Sequence, residues 1–467
     1  VTSPGNTAAV VLAAGAGSRF GGGKLLATVH GRSVVGHVVE AARAAGLAPI
    51  VVVVPPTGDL DELELGDARR VVNPKPDEGL SSSVRLGLRA LELEVEVDAA
   101  VILPGDQPLV RAEVIRSLVA AAAEHPATPF IVARYSDDRA PNPILARRSR
   151  WRLADELAGD RGFGPILARH PELVHEVPAE GANPDVDTSA DLARVIESAW
   201  GDRVRANRDQ VDRIREVPDG ADFYAPVSSL FRADPDRTDD PVLDVLLEIA
   251  RPEDTWLDIG AGAGRFALPL ARVVREVIAV EPSGGMLGAL RELAAEHGVK
   301  NIQTIQARWP FDPADPEPDP VADVALIAHV SYDIEAIGPF VSAMEAAAGR
   351  LCVAVLMERQ PSSIADVLWP PVHGEERVSL PALPEFVELI RARGADPTIR
   401  IVLRTPRRFA ARAELEGFLR RQLWIAPGGD KDRLFHEALA TLAEEGPDGF
   451  GLVGQRPLPV GVVTWAP

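Results

Sequence analysis

Cysteine is almost missing from this chain: its 467 residues hold one, Cys352, inside the apolar run Leu351-Cys352-Val353-Ala354-Val355-Leu356. A single thiol excludes an intrachain disulfide, a cysteine-rich zinc site and a cysteine-ligated iron–sulfur cluster, and its setting reads as buried filler. Excess positive charge is missing too. The formal net charge is -20 and the pI near 5.0, which argues against a general affinity for nucleic acid or an anionic membrane. The short basic pairs Arg407-Arg408 and Arg420-Arg421 read as solvated helix faces. Neither a basic-then-apolar leader nor a long uncharged apolar span is read along the chain, so a cytoplasmic location is expected. What remains is ordinary: 46% hydrophobic and 25% charged residues, enough for two or three domains with cores of their own.

Short apolar runs alternate with helical patterns in two successive series. The first has strand candidates at 8–13, 49–54, 99–103 and 130–134, with helices at about 33–45, 81–92 and 111–124. The second begins at 255–259, continues through 276–280, 302–305, 323–328 and 350–356, and ends in strands around 399–404 and 450–464. Such alternation predicts α/β architecture: mostly parallel sheets covered on both faces, with ligands at the carboxyl ends of the strands. The two series share no repeat. The first half closes near Trp200, and a charged helical stretch from Arg203 to Glu216 leads to Pro218-Asp219-Gly220. The expected division is therefore 1–200, a helical linker or lid over 201–222, and 223–467.

The segment Leu12 to Leu26, LAAGAGSRFGGGKLL, carries the first chemistry. A buried strand runs into glycines whose backbone N–H groups can close on an anion, and Lys24 adds a mobile positive charge. A Walker loop would need Ser or Thr where Leu25 stands, and a dinucleotide fingerprint would need glycine where Phe20 stands. Further on, the apolar run ending Leu103-Pro104-Gly105-Asp106 puts a carboxylate at a strand end, well placed to hold a hard cation against triphosphate oxygens. Ser81, in Glu78-Gly79-Leu80-Ser81-Ser82-Ser83, suits a helix N-cap.

These motifs, with Asn73-Pro74 before them and Pro141-Asn142-Pro143 and Asp185-Val186-Asp187-Thr188 after, stand in the order of the MobA-like nucleotidyltransferases, which the first half resembles. The Ala13-Ala14-Gly15 opening is most similar to the branch that transfers cytidylyl groups to molybdopterin. Pro141 and the Phe163-Gly164 pair depart from that pattern on the acceptor side. The resemblance implies Lys24, Asp106 and Asp187 as catalytic residues, with Asp106 and Asp187 holding Mg2+. It implies Ala13, Ala14, Gly15, Gly17, Arg19, Lys24, Asn73, Ser81 and Ser82 as the nucleotide site, with CTP favoured over GTP.

The second half opens on Thr255-Trp256-Leu257-Asp258-Ile259-Gly260-Ala261-Gly262-Ala263-Gly264-Arg265. A strand ends in Asp and glycines then alternate, while Arg265 stands where a dinucleotide fingerprint would need glycine. The next strand ends at Glu281, whose two oxygens suit two ribose hydroxyls. This half resembles class I S-adenosylmethionine methyltransferases. The resemblance implies Asp258, Gly260, Gly262, Gly264, Glu281, Ala307 and His329 as the S-adenosylmethionine site, His329 being either a general base or a pocket wall. Tyr224 and Phe231 resemble lid aromatics, or are core.

The whole then reads as two Rossmann-like three-layer domains, fused. The expected activities are nucleotidyl transfer to a phosphorylated small molecule and methylation of an unidentified small molecule. A rival pairing serves another phosphorylated metabolite. A rival of another class is a chaperone delivering cofactor to a molybdenum hydroxylase, with one half non-catalytic. Neither nucleic acid nor membrane is an expected partner.

Overall fold

A computed structural model of the chain describes residues 6–15, 20, 22–56, 65–136, 141–218, 222, 225–312 and 319–467. Two compact units are formed, Val1–Ile196 and Glu197–Pro467. In the first, strands β1 (Thr7–Leu12), β4 (Ile50–Val54) and β6 (Ala99–Pro104) are runs of Val, Ile and Ala buried on both faces, the pattern of central parallel strands. The small hairpin β2 (Thr28–Val29) and β3 (Arg32–Ser33) follows β1. With β5 (Arg69–Val72), β7 (Phe130–Tyr135), β8 (Ile144–Arg147) and β9 (Val174–Ala179), the sheet order is β5-β4-β1-β6-β8-β7-β9. Strand β8 alone runs against its neighbours, pairing antiparallel with both β6 and β7. β5 and β9 lie at the sheet edges and are polar and half-exposed, so neither shows an apolar run in the sequence.

Helix Leu80–Leu91 lies close on β1: a Cβ at Gly87 would stand 2.3 Å from the Val10 side chain. The expected N-cap is corrected here. Gly79, not Ser81, occupies the cap position, and no side chain caps this helix. Gly79 has φ 85°, and a Cβ there would come within 2.4 Å of the Gly159 carbonyl carbon. Only glycine lets the two loops meet.

The second unit contains β10 (Thr255–Ile259), β11 (Glu276–Val280), β12 (Ile302–Ile305), β13 (Ala322–Ala328), β14 (Ala348–Met357), β15 (Thr398–Arg404) and β18 (Leu458–Trp465), in the order β12-β11-β10-β13-β14-β18-β15. The first five run parallel, and β18 runs against both β14 and β15. The strand expected over 450–464 is two elements: one arm of the hairpin β16 (Ala443–Gly446) and β17 (Gly449–Leu452), then β18, separated where Gly454 takes φ 75°. Cys352 is fully buried in β14, and burial pushes its thiol up to about 12.

The boundary between the units falls inside one helix, Ser189–Ile214. Trp200, the expected close of the first half, is fully buried in the second unit and donates to the Ile334 carbonyl at 3.0 Å. Val204, Val211 and Ile214 are buried at helical spacing, and Gln210 exchanges hydrogen bonds with Glu376 and Val378, each 2.8 Å. Residues 201–214, expected as a helical linker or lid, are therefore helix packed into the second unit. Val211 and Ile214 join a separate core with Trp369, Leu415, Leu419 and Phe435. Arg407-Arg408 lies outside any helix, Arg407 resting over the rings of Phe409 and Phe418. Among the described residues no helix is long and apolar enough to cross a membrane.

Candidate functional site

The first unit gathers its charges at the carboxyl ends of β1 and β6. Gly22 and Gly23 take φ of 101° and 67°, turning the chain so that Lys24 points inward. Its ammonium lies 2.7 Å from Asp106 and 3.2 Å from Asp187. Burial pulls that ammonium down, but the charges and hydrogen bonds of the two carboxylates outweigh it and hold Lys24 above the ordinary lysine range. Asp106 sits where β6 meets β1: Gly105 donates to the Leu12 carbonyl at 2.9 Å, and a Cβ there would stand 2.7 Å from that oxygen.

Asp187 is brought across by a latch that sequence reasoning missed. The buried Gln107 donates to Asp185 at 2.8 Å and accepts from the buried Asn183 at 2.9 Å, while Val186 N–H donates to the Asp106 carbonyl at 2.9 Å. Thr188 and Asp191 then cap the next helix reciprocally, Thr188 N–H reaching Asp191 at 2.8 Å and Asp191 N–H reaching the Thr188 hydroxyl at 3.1 Å. The signal was available: Gln107 is a polar side chain three residues past the end of an apolar strand, next to Asp106.

Ala13 and Ala14 are buried, Ala13 extending the ladder to Val53 at 2.8 Å, and Gly15 has open space above its Cα. Gly17 and Arg19 lie outside the described residues. Asn73 is buried and donates to Ser82 and Ser83 at 2.8 and 3.0 Å, so its amide braces the start of helix Leu80–Leu91. Ser81 is fully buried, its hydroxyl 3.5 Å from the Glu78 carbonyl, and offers no surface to a ligand. Two of the expected nucleotide contacts, Asn73 and Ser82, are thus engaged with each other, and Ser81 is enclosed.

In the second unit the glycine loop closes on β11. Gly260 and Ala261 donate to the Val280 carbonyl at 2.7 and 3.1 Å. Gly260, Gly262 and Gly264 all take positive φ, and a Cβ on Gly260 would press on Val330 at 2.6 Å. Gly262 faces open space, and its N–H donates to Glu281 at 2.9 Å. The other Glu281 oxygen accepts from Ser283 N–H at 2.8 Å. Burial raises Glu281 and the Asp222 charge adds to it, against the two backbone donors. Asp222, which the sequence reading did not single out, accepts from the Ser283 hydroxyl at 2.8 Å and the Gly285 N–H at 3.3 Å.

Asp258 is the sharpest feature. It is 2% exposed, and its Oδ1 has no hydrogen-bond partner. Burial, then the neighbouring Glu281 charge, push its carboxyl up to about 7. Ala307 is half-buried; two residues on, the Trp309 indole N–H is buried without a partner. His329 follows β13 with φ 61° and meets the Tyr332 hydroxyl at 3.2 Å, which in turn accepts from Met357 N–H at 2.7 Å. Burial first, then the charges of Arg404 and Arg265, bring His329 down to about 4, which favours the pocket wall over the general base. Phe231 is 44% exposed, which speaks against core packing, and Tyr224 lies outside the described residues.

Comparison with known proteins agrees with this division. A model of the MobA-like NTP transferase domain matches residues 9–174, and one of a methyltransferase domain matches residues 257–344. The chain therefore carries a nucleotidyltransferase domain and a methyltransferase domain, both Rossmann-like. Among curated proteins, the 23S rRNA (uracil(1939)-C(5))-methyltransferase RlmD of Xanthomonas euvesicatoria is 50% identical over 58 residues, 12% of this chain and 13% of that one. The Bifunctional protein GlmU of Paenarthrobacter aurescens is 34% identical over 148 residues, 30% of each chain. The chain thus spans about an eighth and under a third of these two relatives. Among solved structures, Rv0371c of Mycobacterium tuberculosis H37Rv is 28% identical, with 42% of this chain and 100% of that one covered at a TM-score of 0.36.

Proposed function

We propose that the chain is a bifunctional transferase. Its first unit transfers a cytidylyl group from CTP to a phosphorylated small molecule, molybdopterin first among candidates, and its second methylates a small molecule with S-adenosylmethionine. The observation that carries the first reading is the convergence of Asp106 and Asp187, distant in sequence, on one ammonium. Two carboxylates that share one cation are a fitting donor set for a hard divalent ion, so Asp106 and Asp187 are the residues to hold Mg2+. That ion would supply charge neutralisation at the triphosphate oxygens.

The chain's own part is positioning and charge. The acceptor phosphate forms a bond to the α-phosphorus as the bond to pyrophosphate breaks, and pyrophosphate takes the electron pair. Lys24 stays protonated across the physiological range and serves either the carboxylates or the triphosphate. The Gln107–Asp185–Asn183 latch keeps Asp187 opposite Asp106. Asn73 and Ser82 brace the helix start that borders the loop at 159–160.

In the second unit the unpaired Asp258 oxygen and the open space at Gly262 suit a ligand that brings its own donors and needs close backbone approach. Glu281 keeps lone pairs for ribose hydroxyls beside its two backbone bonds. Its acceptor is a small molecule, in keeping with the net charge of -20. Calorimetry of the whole chain with CTP and with GTP, each with Mg2+, followed by pyrophosphate release on addition of molybdopterin, tests the first unit. Preferential binding of GTP overturns the cytidylyl assignment.

A further inference from the structure

The carboxyl edge of the second sheet carries two faces of opposite charge. On the β10–β11 side stand Asp258, Glu281 and Asp222. On the β13–β15 side stand three arginines. Arg404 ends β15, and the register pairs it with Leu458 of β18, while Val460 of β18 pairs with Met357 at the end of β14. Met357 is bonded to Tyr332, which touches His329, so the antiparallel strands return Arg404 to the edge where β13 ends. Arg265 comes from the opposite direction, directly after Gly264 of the glycine loop.

One buried carboxylate, Asp240, is shared by this cluster, and the exposed Asp239 attracts Arg237 from nearby. Asp240 caps helix Pro241–Ile249 by accepting from Val242 and Leu243 N–H at 3.2 and 3.4 Å. Its other oxygen lies 2.5 Å from Arg265 and 3.1 Å from Arg237 Nε. Arg237 is only 10% exposed. Its Nη2 is 3.0 Å from Asp240, yet no N–H of that nitrogen is aimed at an acceptor. Both guanidiniums lie over the Phe266 ring, at 5.7 and 5.6 Å. Arg404 is half-buried, and among the described residues no hydrogen bond or ion pair holds its guanidinium. The arginines depress one another: burial first, then Arg265, lowers both Arg237 and Arg404.

Three guanidiniums share the buried Asp240 carboxylate, which already caps a helix, and the exposed Asp239 attracts Arg237, so the cluster keeps an excess of positive charge in a partly desolvated setting. Arginine forks match carboxylate and phosphate oxygens in pairs, so an incoming anion supplies what the cluster lacks. His329 cannot be that partner, being neutral and next to the same arginines. On the reading of this unit as a methyltransferase, we propose that Arg237, Arg265 and Arg404 form its acceptor subsite and that the methyl acceptor carries an anionic group, a carboxylate or a phosphate monoester. The acidic face takes the cationic methyl donor, the basic face the anionic acceptor, and His329 lies at the border.

Nuclear magnetic resonance of the full chain loaded with S-adenosylhomocysteine tests this directly. Inorganic phosphate and acetate are titrated separately while the arginine Nε–H signals are followed. Saturable shifts with a midpoint in the millimolar range or below are expected for at least one probe, and which one saturates separates phosphate from carboxylate acceptors. Arg404→Gln should weaken that midpoint at least tenfold while S-adenosylhomocysteine affinity stays within twofold, which also shows that the variant is folded. Arg265→Gln provides a second variant should the first fail to fold. Unsaturable shifts with both probes, or equal midpoints in the variants, overturn the proposal. Failure of the wild-type chain to bind S-adenosylhomocysteine overturns the underlying methyltransferase reading instead.

Discussion

In the first unit the carboxylates Asp106 and Asp187 are held by a cation the chain itself provides, Lys24, at 2.7 and 3.2 Å. In the second, Asp258 keeps a buried oxygen with no partner at all and stands beside Glu281, a like charge. One site rests in a closed ion pair that must be reorganised when a metal–nucleotide complex arrives. The other is a preformed hole that is destabilised until a ligand enters. A buried polar atom without a partner costs about 1–3 kcal/mol, and a partly buried ion pair that loses a partner costs less where, as at Asp187, solvent screens the charge. The two units keep that cost at opposite ends of the binding reaction.

The contrast is broken most forcefully at Asp106. Asp106→Asn should lower nucleotidyl turnover about a hundredfold or more, with a smaller change in CTP affinity, if the carboxylate acts on developing charge. Single-turnover kinetics with Mg2+ separates the two, and loss of affinity alone would contradict that role. Next comes the boundary. A fragment of residues 197–467 should fold, whereas one beginning at 216 loses Trp200, Val204, Val211 and Ile214 and should be destabilised by several kcal/mol, about 2–5 for each large buried side chain removed. Denaturant melts of both fragments decide it, and equal midpoints would return residues 201–214 to the status of a spacer.

Glu281→Ala should weaken S-adenosylmethionine binding by about 1–3 kcal/mol, since it strips ribose donors and two backbone N–H groups of one acceptor. Calorimetry should show CTP affinity of the first unit unchanged; a parallel loss there would mean the two sites are coupled.

A gentler probe is pH. Asp258 titrates at about 7 in the folded chain, against 3.8 for an ordinary carboxyl. Between these values the unfolded chain has released a proton that the folded chain still holds, so ligand-free stability falls as pH rises from about 4 to about 7. His329, lowered from 6.5 to about 4, acts in the opposite sense over its own window. Asp258→Asn removes only the first contribution, so its melting temperature should gain on the wild type as pH rises from 5 to 8. S-adenosylmethionine affinity of the wild type should rise through pH 7, by about tenfold per unit below it where binding needs the ionised carboxylate. A flat profile would mean that Asp258 binds in its neutral form. Smallest of all, Ser81→Ala should change CTP affinity less than twofold, because the hydroxyl is enclosed.

Local pattern alone carried the central strands, the glycine turns at 260–264 and the strand-end acids Asp106, Asp258 and Glu281, because a buried parallel strand must be a continuous apolar run and its ligand-facing end must turn polar. Of the four edge strands of the two large sheets, β12 and β15 were legible, β15 by its alternating apolar residues, whereas β5 and β9 offer neither a long apolar run nor a clean alternation. Helix Ser189–Ile214 was legible as a helix, a linker or a lid, but not its packing: its burial is spread over Trp200, three aliphatic residues and two amides that find backbone partners far along the chain. The occupation of Asp106 by Lys24, the Gln107 latch, the enclosure of Ser81 and the arginine cluster at Arg404 were decided by tertiary structure alone. Each depends on which strand lies beside which, and the antiparallel return of β15 and β18 is not a property of any local segment.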